Sequence, residues 1–188
     1  MTRVYLVRHC MASGQAADRA LTADGEAQAV ELATFLARLG IERIVSSPYK
    51  RAVRSIAPLA ERLALPVETD ARLAERVLSS EPLDNWEARM RASYEDVDTA
   101  LPGGETTTEA LTRGAAAMDD LLRGAVETTV AVSHGNLLSL LLGHYGFHGG
   151  GNAGYETWRA MTNPDVFCLE RHARRGGGTR IERIWSGV

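Results

Sequence analysis

The chain reads as an α/β protein: a three-layer α/β/α arrangement with a mostly parallel central sheet and a small helical lid insertion. Three observations predict this. Arg3-Val-Tyr-Leu-Val-Arg8 and Thr128-Thr-Val-Ala-Val-Ser133 are short runs rich in β-branched residues, without the polar alternation of a half-exposed strand, so both read as strands buried on two faces. Capped stretches of helical pattern alternate with such runs, the order that generates parallel crossovers. Residue pairs bearing chemistry, Arg8-His9 and His134-Gly135, stand where two of these strands end, which in an open α/β sheet is where sites form.

Taken in order, the first strand leads to a helix capped by Thr22, with apolar residues Ala27, Val30, Phe35, Leu36 and Leu39 and with Gly40 closing it. Residues 41–46 form a second strand. Ser47-Pro48 then reads as a helix N-cap with proline in first position, before a helix burying Val53, Ile56, Ala60 and Leu63 and kinked at Pro58. Residues 67–73 are a weaker strand, and Glu75 lies just beyond it.

From residue 79 to 102 the composition turns polar. Asp84-Asn-Trp-Glu87 has capping-box spacing, and Trp86, Met90, Tyr94, Val97 and Leu101 recur every three or four residues, predicting a lid helix with one apolar face. Pro102-Gly-Gly104 breaks it. Thr106-Thr-Thr-Glu109 offers another capping box for a helix carrying Leu111, Ala115, Met118 and Leu122. The 128–133 strand delivers His134, and Gly135-Asn136 opens an apolar helix through Leu142. Residues 146–164 read as a glycine-rich loop. Residues 165–171 and 180–185 form a final antiparallel pair joined through Gly176-Gly-Gly178. Residues 1–188 are thus expected to be one domain, with the lid inserted at about 79–102.

Composition removes several classes of function. Of 188 residues 45% are hydrophobic and 24% charged, ordinary for a globular chain, and the formal net charge of −3 offers no general attraction to nucleic acid or an anionic membrane. No apolar run approaches the roughly 18 residues of a membrane span, and no leader pattern opens the chain, so a cytoplasmic protein with no membrane or nucleic-acid partner is expected. Cys10 and Cys168 are the two cysteines, too few for a disulfide framework and without zinc-ligand spacing; a buried, inert Cys10 is expected. Gly149-Gly-Gly151-Asn-Ala-Gly154 matches G-x-G-x-x-G but follows a helix instead of a strand, so it reads as a flexible loop. His144 and His148 lack a third ligand and read as helix-end residues. His172, beside Arg171, Arg174 and Arg175, reads as part of a solvated basic turn.

Arg8, His9, Arg51 and His134 then form the candidate site. Two arginines repel cations, so no metal is expected, and the set suits a dianion. The motifs Leu6-Val-Arg8-His9, Leu21-Thr-Ala-Asp-Gly25-Glu-Ala-Gln28, Ser46-Ser-Pro48-Tyr-Lys-Arg51-Ala, Leu73-Ala-Glu75, Pro102-Gly-Gly-Glu105-Thr and Val132-Ser-His134-Gly135 resemble, in order, those of the histidine phosphatase superfamily, also called phosphoglycerate mutase-like.

That resemblance implies two-step phosphoryl transfer through a phosphohistidine: His9 as nucleophile, Arg8, Arg51 and His134 on the phosphoryl group, Glu75 as general acid and base, and no cofactor. A protonated His134 would add a charge-assisted donor. The Asn136 amide and, by position, Gln15 are further candidate contacts to substrate. The sequence departs from the family where Cys10 replaces the usual glycine after the nucleophile and Met11 replaces a polar residue. The expected partner is a small-molecule phosphate ester, hydrolysed as a phosphomonoester. The alternatives are phosphoglycerate mutase-type transfer and a catalytically silent phospho-ligand binder; a protein phosphohistidine phosphatase is disfavoured by the lid, and nothing in the pattern sets an oligomeric state.

Overall fold

The computed structural model describes residues 1–147, 153–171 and 179–187. Six strands form one sheet in the order β3-β2-β4-β1-β5-β6. They are β1 (Thr2–Arg8), β2 (Arg43–Ser46), β3 (Val67–Thr69), β4 (Thr128–Ser133), β5 (Asp165–Arg171) and β6 (Thr179–Ser186). β1, β2, β3 and β4 run parallel, while β5 and β6 continue the sheet antiparallel. The sheet is mixed and mostly parallel, as expected. β1 and β4 are neighbours in register, Arg8 opposite Ser133, so the residues that follow them emerge side by side. This adjacency places His9 next to His134.

The alternating sides of the strands feed two cores, which explains why β1 and β4 carry unbroken apolar runs, Val4 to Val7 and Val130 to Val132, at their centres. On one face Val4, Leu6 and Ala131 pack with α4 (Thr107–Arg123) and α5 (Gly135–His144). On the other, Tyr5, Val7, Val130 and Val132 pack with α1 (Ala23–Leu36) and α2 (Lys50–Leu63).

Several boundaries differ from expectation. α1 is capped by Thr22, whose hydroxyl accepts the Gly25 N–H, but it buries Ala29, Leu32, Ala33 and Leu36 and leaves Val30 exposed. Apolar residues lie on more than one side of this helix, and the small residues decide which side approaches the sheet. The helix ends at Leu36, and Gly40 takes its positive φ in the turn beyond. α2 begins at Lys50 with Tyr49 in the cap position, not Ser47, and runs through Pro58 to Leu63, with Ile56 and Ala60 buried and Val53 and Leu63 partly so. The third strand stops at Thr69, and residues Ala71–Leu73 form a turn of 3-10 helix (η1) that carries the chain to Glu75.

Within 79–102 a helix does form, α3 (Trp86–Glu95), but the expected capping box does not. Asn85 sits in a left-handed conformation without a side-chain cap, and Glu87 instead accepts the Tyr155 hydroxyl. Of the expected apolar face only Met90 and Tyr94 turn inward; Trp86 and Val97 are exposed. The Thr106/Glu109 capping box is present in full. A last difference is α6 (Ala153–Ala160), inside the stretch expected to be loop: Tyr155 and Trp158 pack there, a tertiary gain that overrides the glycine-rich surroundings. His144 closes α5, exposed, as expected of a helix-end residue. His148, the stretch 149–152, His172, Arg174, Arg175 and Gly176–Gly178 lie outside the described residues.

Candidate active site

His9 follows β1 and is 7% exposed. Its ring is held from two sides. Nδ1–H donates to the Cys10 carbonyl at 2.7 Å, which leaves the lone pair on Nε2, and Arg51 Nε donates to that Nε2 at 3.2 Å. Burial lowers the proton affinity of His9 most, Arg51 and Arg8 lower it further, and the pKa falls to about 3. The imidazole is therefore neutral, with its free nitrogen facing an arginine.

Cys10 needs no left-handed backbone here, and its side chain is fully buried among Val7, Leu21 and Ala52, so a side chain is accommodated where the family has glycine. Burial pushes its thiol up to about 12, and the expectation of an inert cysteine stands. The loop behind it is tied to α1: Thr22 N–H donates to the Met11 carbonyl, and the Met11 N–H donates to Gln28 Oε1. A Cβ on Gly25 would come within 2.0 Å of the Met11 oxygen, which gives the glycine of that motif its physical reason.

Arg51 is fully buried in the first turn of α2. Nη1 donates to the carbonyls of Gln15 at 2.8 Å and Ala16 at 3.0 Å, and its guanidinium lies 4.9 Å from the centre of the Tyr49 ring. Gln15 thus meets the site through its backbone, its side chain being exposed, not through the expected amide. Arg8 Nη1 donates to the carbonyls of Met161 at 2.7 Å and Thr162 at 3.4 Å. A Cβ on Gly135 would sit 3.1 Å from that guanidinium, so the glycine lets the α5 start approach the arginine.

His134 follows β4, its ring centre 5.1 Å from that of His9 and 4.9 Å from that of Tyr49. Nε2 lies 2.7 Å from the Ser47 hydroxyl. Burial, then His9 and Arg51, hold its pKa well below the ordinary value, which favours the neutral ring over the protonated donor that the sequence left open. Among the described residues, Arg8 Nε, Arg51 Nη2 and His134 Nδ1 are buried polar atoms without a hydrogen-bond partner. Such atoms are rare and costly unless a ligand meets them. All three are nitrogens of candidate site residues.

Glu75 is brought to the first turn of α5, the helix that His134 precedes. Its carboxylate accepts N–H bonds from Arg76 at 2.9 Å, Leu137 at 3.0 Å and Asn136 at 3.2 Å. The Asn136 amide is thus spent on Glu75, where the sequence pointed to substrate. Burial raises the Glu75 pKa; the three amides and Arg51 pull it down without cancelling the rise. Among the described residues no three His, Cys, Asp or Glu side chains cluster as a metal set would, and no helix there is long and apolar enough to cross a membrane.

Sequence reasoning missed the supports. Ser47 was legible only as a helix cap, and its hydroxyl goes to His134 and the Tyr49 N–H. The turn at 161–163 grips both Arg8, by carbonyls, and His9, whose carbonyl accepts Asn163 Nδ2 at 2.7 Å. A carbonyl contact leaves no trace in side-chain identity.

An α/β sheet gathers two histidines and two arginines beyond its parallel strands, and the comparisons place the chain among known proteins. Residues 4–184 match the model of the histidine phosphatase superfamily (branch 1), and the chain belongs to that family. "Probable phosphoglycerate mutase GpmB" of Shigella dysenteriae is 34% identical over 162 residues, covering 76% of this chain and 74% of that protein. The structure of a mycobacterial glucosyl-3-phosphoglycerate phosphatase with inorganic phosphate superposes with a TM-score of 0.78 at 26% identity, covering 100% of this chain and 98% of that one. An alpha-ribazole phosphatase from Shigella flexneri shares the fold, with a TM-score of 0.75 at 21% identity over 100% and 99% of the two chains. Family membership with relatives of these kinds supports an enzyme that is a phosphatase or a mutase.

Proposed function

We propose that the chain is a phosphomonoesterase acting on a small, soluble phosphorylated metabolite through a phosphohistidine on His9. The observation that carries this reading is the free Nε2 of a neutral His9, surrounded by the unpartnered donors of Arg8, Arg51 and His134. In this reading the phosphoryl group enters among those donors. Arg51 turns its Nε–H from His9 to a phosphate oxygen, and the freed lone pair attacks phosphorus in line with the leaving oxygen. With the Ser47 hydroxyl donating to Nε2, His134 presents Nδ1–H to the same group while remaining neutral. The guanidinium donors stabilise charge on the equatorial oxygens, and none has to reorganise from bulk water.

Glu75 is the proton carrier. Protonated, it supplies the departing alkoxide; ionised, it draws a proton from the water that hydrolyses the phosphohistidine. The raised pKa suits the first task, and the three amide donors suit the second. The donor set matches a dianion and gives no step to a metal.

Brief exposure to a phosphate ester, followed by an alkaline denaturing quench and mass measurement before and after acid treatment, tests this. Acid-labile phosphate on the protein, absent in His9→Ala, is expected; tight binding without labelling would leave the pocket a silent binder. A second reading, phosphoglycerate mutase, is favoured by the relatives at 34% identity. Release of inorganic phosphate from phosphoglycerate, measured against isomer interchange, separates the two. The phosphatase reading draws support from the mycobacterial phosphatase, which this chain matches along its whole length.

A further inference from the structure

The inner face of α3 consists of Met90 and, one helical turn on, Ser93 and Tyr94, and all three grip residues that carry Glu75 amides. Tyr94 Oη donates to Asn136 Oδ1 at 3.2 Å and lies 2.6 Å from Ser139 Oγ, which itself donates to the Asn136 carbonyl at 2.7 Å. Met90 Sδ receives Asn136 Nδ2 at 3.6 Å. Ser93 Oγ accepts Arg76 Nη1 at 2.9 Å, and the rest of that buried guanidinium is spent on the Glu105 carbonyl. Apart from Met90, Ser93 and Tyr94, the helix from Trp86 to Glu95 is exposed. Its packing therefore acts on the backbone donors of one carboxylate.

We propose that Tyr94 and Ser93 are positioning residues: from α3 they aim the amides of Asn136, Leu137 and Arg76 at Glu75, so the pose of this helix governs whether Glu75 holds or yields its proton. The proposal rests on the acid and base role given to Glu75 above. With α3 docked, three N–H groups converge on the carboxylate and favour its charged form, the form needed to activate water. If the helix lifts as substrate enters, the amides lose their aim and Glu75 retains its proton for the leaving group. The other groups facing Glu75 are Arg51 from α2, Arg8 at the end of β1, the adjacent Arg76 and the Tyr94 phenol itself. The arginines keep their charge through the working pH range, and burial holds the phenol neutral, so of these groups the one that titrates is Glu75.

The test is the pH profile of kcat for an alkyl phosphate, whose poor leaving group demands the acid, beside an activated aryl phosphate. Tyr94→Phe keeps the ring and removes the donor. The limb assigned to Glu75 is expected to move to higher pH by about half a unit to one unit, with inorganic phosphate inhibition unchanged within twofold. Ser93→Ala is expected to move it the same way, and carries the test if Tyr94→Phe does not fold. A uniform loss of rate with an unmoved limb, or no change, overturns the proposal. Glu75→Gln separates the two levels: if the limb persists in that variant, the role given to Glu75 fails; if it vanishes there yet stays fixed in the α3 variants, only the role of α3 fails.

Discussion

The site has two halves that are built differently. The cationic half, Arg8, His9, Arg51 and His134, grows from β1, β4 and the first turn of α2, and every one of its rings and forks is fixed by buried carbonyls, a buried hydroxyl or a neighbouring ring. The acidic half is a single carboxylate on the connection after β3, held by amides whose carriers are gripped by a helix exposed on its other faces. One half is part of the core; the other hangs from the periphery. The difference assigns rigidity to phosphate recognition, where geometry decides the rate, and adjustability to proton handling, where one group must serve in two protonation states.

The sharpest way to break this comparison is Arg51→Lys. The substitution keeps one positive charge and loses the fork that reaches His9, Gln15, Ala16 and the unpartnered Nη2 position at once. Turnover of alkyl and aryl esters alike is expected to fall roughly a hundred- to a thousandfold, the loss typical when preorganised donors are removed from a developing charge. Steady-state kinetics on both ester types check this, and unchanged turnover would remove Arg51 from the phosphoryl site.

Titration sharpens the contrast, because the halves respond to acid with opposite sign. His9 has a folded pKa of about 3 against an ordinary value of 6.5, so the unfolded chain takes up the extra proton. Its contribution to stability is whole above 6.5 and is lost as pH falls toward 3, about 2 kcal/mol by pH 5. His134 shifts in the same direction and adds to the loss. Glu75 is displaced upward, so the fold binds its proton more tightly and gains as pH falls. Denaturant midpoints measured from pH 7.5 to 5 are expected to decline in the parent chain. The decline should be shallower in His9→Gln, which cannot titrate, and steeper in Glu75→Gln.

How much of this was legible in the sequence follows the same division. β1 and β4 announce themselves because burial on both faces demands unbroken apolar runs, and the residues after them fall beside each other once those strands pair. The cationic half was therefore readable from order alone, aided by motifs that match a known family. The acidic half was readable only as a lone Glu75 after a weak strand. What positions it depends on tertiary contacts from α3, α4 and α5, which no local spacing encodes. Ser47 shows the limit from another side: a serine before proline favours a cap, and only the fold reveals that its hydroxyl serves a histidine 87 positions away. The apolar stripe through Val97 and Leu101 misled because the helix ends at Glu95.

The smallest effect lies in a support of the acidic half alone. Thr106 caps α4, its hydroxyl accepting the Glu109 N–H at 2.9 Å while Glu109 Oε2 accepts the Thr106 N–H at 2.9 Å. The next residue, Thr107, donates its hydroxyl to the Ser93 carbonyl in α3, and Arg113, further along the helix, binds the carbonyls of Arg72 and Ala74 beside Glu75. The start of α4 thus braces the acidic side, whereas the cationic residues make none of these bonds. Thr106→Ala removes the cap and is expected to cost about 1 kcal/mol, lowering Tm by roughly 2–4 °C for a chain of this size. Where any rate changes below that Tm, it should be that of the alkyl ester, since hydrolysis of an activated aryl ester depends on the half that Thr106 does not touch. Differential scanning calorimetry with parallel assays of the two esters measures both; equal slowing of the two would show that the halves are mechanically one unit.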